Sequence, residues 1–102
     1  MKTKKALSLS IKDNVAVALE QIESGDEIRV KIKGNGERFL WAKNRIPSWF
    51  KVALVDVPKG DQIIKYGELM GCASSFISAG DLVHIHNVEG IRVQKIESEE
   101  NK

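Results

Sequence analysis

Hydrophobic positions along the chain fall in short alternating runs. Ile28, Val30 and Ile32 alternate with Arg29, Lys31 and Lys33, the two-residue period of a strand buried on one face. Val83 and Ile85 alternate with His84 and His86 in the same manner. That pattern predicts a strand that sends Val83 and Ile85 into a core. Both imidazoles would then stand on the opposite face, with Cα atoms ~6.6 Å apart. Residues 15–22 are rich in Ala, Leu and Val, but too short for periodicity to separate helix from strand.

An internal repeat favours strand. Residues 17–28, with Ile22, Gly25, Asp26 and Ile28, align without gaps on residues 52–63, with Val57, Gly60, Asp61 and Ile63. A weaker third copy holds Cys72, Ile77, Gly80, Asp81 and Val83. The second copy is β-branched where the first is ambiguous. Gly takes positive φ without steric cost and Asp bonds nearby backbone, so each Gly-Asp marks a tight turn between strands. Gly34-Asn35-Gly36 reads as a further turn, with residues 38–42 returning as a hairpin arm. Pro47 and Pro58 fall in connections. Short strands, close turns and little helix predict a compact all-β fold; the repeat is too irregular for a solenoid.

Length and charge narrow the picture. The 102 residues make one domain, with an ordered core expected over about residues 7–96 and loose, charged ends. Sixteen basic against fourteen acidic side chains leave +2, too weak an imbalance for a dedicated nucleic-acid binder or a polybasic membrane patch. The single cysteine, Cys72, allows no intrachain disulfide and no cysteine-rich zinc site, and its apolar surroundings predict burial. The basic start resembles a signal n-region, but the apolar run behind it is short and broken by Lys12 and Asp13. No apolar stretch is long enough to span a bilayer, and the cytoplasm is the expected compartment by default.

Several stretches together resemble the SAF domain of the altronate/galactarate dehydratase family. They are Asp13-Asn-Val-Ala-Val-Ala-Leu19, Lys51-Val-Ala-Leu54, Gly60-Asp-Gln-Ile-Ile-Lys-Tyr-Gly-Glu68, Met70-Gly-Cys-Ala73 and Ile77-Ser-Ala-Gly80, running on through Val83-His-Ile-His-Asn-Val88. The resemblance implies a β-clip fold of long bent hairpins. It also implies elimination of water β to the carboxylate of a sugar acid, often with a divalent metal such as Fe²⁺ or Mn²⁺. In that family the module begins a longer dehydratase or stands as a small subunit beside a catalytic large one. This chain ends where the large part would begin, so a separate small subunit is the expectation. Sulfo-lyases share a similar two-part plan, and a non-catalytic ligand- or protein-binding module is the other alternative. Family members commonly carry His just before the Lys-Val-Ala-Leu stretch; here that position is Phe50.

Candidate chemistry centres on His84 and His86. Two imidazoles on one strand face could share a metal, clamp a carboxylate or act as acid and base, or could simply be the solvated side of an edge strand. Two histidines do not complete a metal site, so a partner chain would have to add ligands. Asn87 could orient a substrate hydroxyl. Lys65 could hold a carboxylate and Tyr66 offers a hydroxyl, or else Tyr66 packs on the core beside a bend at Gly67. Trp41, Trp49 and Phe50 lie near Lys43, Arg45 and Lys51, a composition that suits a docking surface for a large subunit, or alternatively core filling. Association of the chain with copies of itself is equally compatible with the sequence.

Overall fold

Across residues 3–90 of the computed structural model, nine short strands form two sheets, with no helix among the described residues. The larger sheet is built from β1 (Thr3–Ser8), β2 (Val15–Ala18), β3 (Glu27–Ile32), β4 (Glu37–Trp41), β5 (Lys51–Ala53) and β8 (Leu82–Val83), in the order β4-β3-β1-β2-β5-β8. The smaller holds β6 (Gln62–Lys65), β7 (Glu68–Ala73) and β9 (Val88–Glu89), in the order β6-β7-β9. The expected hairpin after Gly34-Asn35-Gly36 is present: β3 pairs antiparallel with β4, Val30 opposite Arg38. Ile28 and Val30 are fully buried while Arg29 and Lys31 are exposed, as the alternation requires.

The repeat is the organising device, and it occurs four times. Each copy is Ala, three residues, Ile or Val, two residues, then a turn residue. The copies run Ala18-Ile22-Gly25, Ala42-Ile46-Trp49, Ala53-Val57-Gly60 and Ala73-Ile77-Gly80. In every copy the turn residue has positive φ, at 90°, 73°, 91° and 91° respectively. In every copy, too, its N–H donates to the alanine carbonyl of another copy: Gly25 to Ala42, Trp49 to Ala18, Gly60 to Ala73 and Gly80 to Ala53, at 2.7–2.8 Å. The alanine N–H groups return the bond to the residue after the turn. The copies therefore lock in two reciprocal pairs, bridged at Ile22–Ile46 and Val57–Ile77. Each pair has its own core. Ala18, Ile22, Ala42 and Ile46 lie in one cluster; Ala53, Val57, Ala73 and Ile77 lie in the other. Alanine suits the clamped position because the turn backbone approaches closely there.

The copy missing from the sequence comparison has Trp49-Phe50 where the others have Gly-Asp. Its chemistry is consistent. Asp26 and Asp81 accept the N–H of Glu23 and Ser78, which open their turns. The Trp49 turn opens on Pro47, which has no N–H to satisfy, so Phe50 leaves no donor stranded.

Two expectations need correction. The chain is ordered in a strand from Thr3, not from about residue 7, because residues 3–8 pair in parallel with Glu27–Ile32. The expected order over residues 91–96 lies outside the described residues. The second correction concerns the histidines: β8 ends at Val83, and residues 84–87 form a turn. Ile85 is 83% exposed rather than in the core.

Candidate functional site

Asn87 makes the turn. Its Oδ1 accepts the His84 N–H at 3.0 Å, its Nδ2 donates to the Leu82 carbonyl at 2.9 Å, and its own N–H donates to the His84 carbonyl at 3.0 Å. An asparagine side chain that replaces ladder bonds in this way ends a strand, which is why the alternation at residues 83–86 misled. Asn87 is buried and both of its amide groups are engaged, so it positions His84 instead of facing a substrate. The turn also separates the two imidazoles. His84 is half-buried and lines a cleft; His86 is exposed and is not among that cleft's lining residues.

The cleft has a volume of about 230 Å³ and is lined by Lys51, Ile63, Met70, His84, Ile85, Val88, Glu89 and Gly90. Strand register assembles it: Lys51 on β5 lies opposite Val83, the last residue before His84. Phe50 stands against the His84 ring, centroids 4.6 Å apart at 41°, which restricts the imidazole to the cleft wall. Burial holds the Lys51 ammonium below the usual lysine range, and the neighbouring Lys65 charge lowers it further. Sequence reasoning missed Lys51. Its signal was its place directly after Phe50 and at the head of a buried strand.

Lys65 and Tyr66 sit at the β6–β7 hairpin. Tyr66 and Gly67 both have positive φ, 56° and 76°, as in a two-residue hairpin turn of the type that twists with its strands. Asp13 holds it: its carboxylate accepts the Tyr66 N–H at 2.9 Å and the Gly67 N–H at 2.7 Å. Asn14 adds a second clamp, accepting from Ile64 N–H and donating to the Gln62 carbonyl, both at 2.7 Å. The Lys65 ammonium lies 4.7 Å from the Tyr66 ring centroid, a cation–π contact. Tyr66 is half exposed, and neither it nor Lys65 lines the His84 cleft, although the Lys65 charge acts on Lys51. Of the three aromatic residues expected at a docking surface, Trp41 on edge strand β4 and Trp49 are exposed, the latter by 70%. Phe50 turns inward to the core and His84.

A larger cleft of about 440 Å³ lies beside the Gly60 turn, lined by Asn14, Asp56, Asp61 and Gln62 among others. Its charged residues are carboxylates, and it contains no imidazole, so it suits an acidic ligand poorly. Among the described residues no three of His, Cys, Asp and Glu converge. The donors present do not make a closed metal centre by themselves.

Four turn-clamped copies, two small cores and one imidazole in an open, cation-bearing cleft define a small β module of the SAF type. The chain belongs to the altronate/galactarate dehydratase SAF domain family, whose model matches residues 4–90. It is similar to the altronate dehydratase of Escherichia coli (strain K12), 39% identical over 75 residues, which is 74% of this chain and 14% of that protein. It is also similar to the altronate dehydratase of Bacillus subtilis (strain 168), 33% identical over 89 residues, 84% of this chain and 16% of that protein. The chain thus spans only about one-seventh to one-sixth of the length of these relatives.

Proposed function

We propose that the chain is the small subunit, or substrate-side domain, of a hydro-lyase that dehydrates a sugar acid, working against a catalytic large chain. The observation that carries this reading is the His84 cleft. It is open, it sets an imidazole beside a half-buried lysine, and at about 230 Å³ it is smaller than the ~300–1,000 Å³ typical of a complete ligand site. In this reading the large chain supplies the surface that closes it. Elimination of water from a hydroxy acid requires a held carboxylate, removal of the proton beside it, and protonation of the departing hydroxyl at the β carbon. His84 is the candidate for one of these proton transfers. A divalent ion such as Fe²⁺ or Mn²⁺ would polarise the leaving hydroxyl, with most ligands from the large chain. The exposed Trp41 and Trp49 are the candidate contacts to that chain.

One observation favours a second reading, a non-catalytic acid-binding module. Phe50 occupies the position where relatives commonly carry His, and it covers part of the His84 ring. A related sulfo-lyase small subunit is separable by product. The test mixes this chain with E. coli altronate dehydratase from which the matching 75-residue stretch has been removed. Restored release of keto acid from altronate supports the hydro-lyase reading, and sulfite release from sulfolactate supports the sulfo-lyase. Neither product, with binding of the acid retained, supports the binding module.

A further inference from the structure

β4 closes one side of the larger sheet, and among the described residues only β3 pairs with it. Edge strands are commonly blunted by proline, a bulge or repelling charge. β4 has no proline and no bulge, and it exposes Phe39 and Trp41. Of its two charges, Glu37 is paired with Arg29 on β3 at 3.2 Å, while Arg38 makes no ion pair among the described residues. Register shows which backbone groups are spare. Ile32 N–H donates to the Gly36 carbonyl, so the bonded pairs with β3 continue at Val30–Arg38 and Ile28–Leu40. The N–H and C=O groups of Glu37 and Phe39 therefore point away from the sheet. Beyond them the edge closes: Lys43 N–H donates to the Gly80 carbonyl, and the Trp41 carbonyl abuts that glycine. The sheet face beside the open stretch is basic. Register lines up Lys5, Arg29 and Phe39 across three strands, with Lys31 in the next row, and all four are exposed. The two acids of that face are already engaged, Glu27 by the Thr3 hydroxyl and Glu37 by Arg29.

We infer that the open edge of β4 docks a protein partner, which adds an extended antiparallel segment alternating acidic and apolar side chains. The spare groups of Glu37 and Phe39 supply main-chain bonds, and side chains set the choice of segment. A carboxylate stands opposite Arg38 on one face, and an apolar residue stands opposite Phe39 on the other. A second copy of this chain fits poorly. Two-fold pairing through Glu37 and Phe39 centres on Arg38 and opposes two guanidinium groups. Centring it on Phe39 needs the Trp41 carbonyl, where Gly80 stands. Centring it on Glu37 opposes two carboxylates. A nucleic acid has no main-chain N–H to give the Phe39 carbonyl. The inference rests on the reading of Trp41 as a partner contact and is independent of the chemistry at His84.

The test titrates the full chain with a synthetic peptide, Thr-Glu-Val-Glu-Val-Glu-Thr, and follows NMR shifts and amide hydrogen exchange. Saturable binding is expected, with slowed exchange at the Glu37 and Phe39 amides, the donors that gain partners. The same peptide with lysine for each glutamate should bind weaker by about tenfold or more. N-methylation of both valines should abolish binding, because their N–H groups face β4, whereas N-methylation of the glutamates should spare it. Arg38→Glu, an exposed substitution, should reverse the preference between the acidic and basic peptides. Absence of binding, unchanged exchange at Glu37 and Phe39, equal binding of the valine-methylated peptide, or an unreversed preference would each overturn the assignment. So would displacement of the peptide by oligothymidylate, which would give the face to a nucleic acid. A dimer in sedimentation equilibrium that protects the same amides would give the edge to a second copy instead. Failure here with activity restored in the mixing experiment removes this inference and leaves the hydro-lyase reading. Peptide binding here without activity there does the reverse.

Discussion

Trp49 shows how single residues depart from the repeat that surrounds them. It holds φ 73° at a position where the three sister turns use glycine, and its side chain is 70% exposed, so its own module gains little from it. Left-handed backbone costs a non-glycine residue ~1–2 kcal/mol, part of which glycine gives back through greater freedom in the unfolded chain. Trp49→Gly is therefore expected to stabilise the isolated chain by about 0.5–1 kcal/mol, read as a higher denaturant midpoint; a lower midpoint would mean the indole packs in a way its exposure denies. Asp13 is the opposite case. It is a buried carboxylate serving two backbone donors of a remote hairpin. Asp13→Ala should cost about 2–4 kcal/mol by leaving those donors unmet, with the loss seen in urea unfolding.

Lys51 gives a pH dependence at the same scale. Its proton is held less tightly in the folded chain than at the ordinary 10.5 of the unfolded one. Between the lowered folded value and 10.5 the unfolded state binds more protons, so stability rises with pH across that window and levels off above it. Below the folded value the penalty is present in full. Comparing wild type with Lys51→Met in thermal melts from neutral pH upward should show a gap that favours the variant and closes as pH rises. A gap that widened would reverse the sign of the argument.

The element scale separates what could be read in the chain from what could not. The Gly-Asp turns, the β3–β4 hairpin and the burial of Cys72 were all legible, because each rests on local backbone preference or simple alternation. The reciprocal pairing was not, since a hydrogen bond from Trp49 to Ala18 spans elements that no local pattern connects. The end of β8 was misread for a related reason. Alternation cannot reveal that the Asn87 side chain takes over the Leu82 carbonyl and the His84 N–H. Once the clamps are known, the glycines cease to be equivalent. A Cβ on Gly25 meets open space, whereas one on Gly80 overlaps the Trp41 carbonyl oxygen. Both have φ near 90°, so both alanine variants carry the same backbone strain. Gly80→Ala should exceed Gly25→Ala in destabilisation by ~1–3 kcal/mol, the usual range for overpacking; equal values would show that the Trp41 strand end yields freely.

At the scale of the molecule, two clamped pairs with separate cores meet where β2 and β5 run side by side. Family membership could be read from motif strings. The site could be read only in part, because pocket residues come from β5, β6, β7, the 84–87 turn and β9, brought together by register. His84 was visible as a residue and Lys51 was not. His84 and His86 were inseparable by spacing, yet the Asn87 turn puts only one of them at the cleft.

That separation gives the most direct test of the account. This chain replaces the matching stretch of E. coli altronate dehydratase, and the rate of altronate dehydration is measured for the hybrid and for its His84→Gln and His86→Gln forms. A working hybrid is expected, whose kcat falls about 10²-fold or more with His84→Gln, the usual worth of a placed acid–base group, and stays within a few-fold with His86→Gln. A hybrid that keeps its rate without His84, or loses it equally with either substitution, would contradict it.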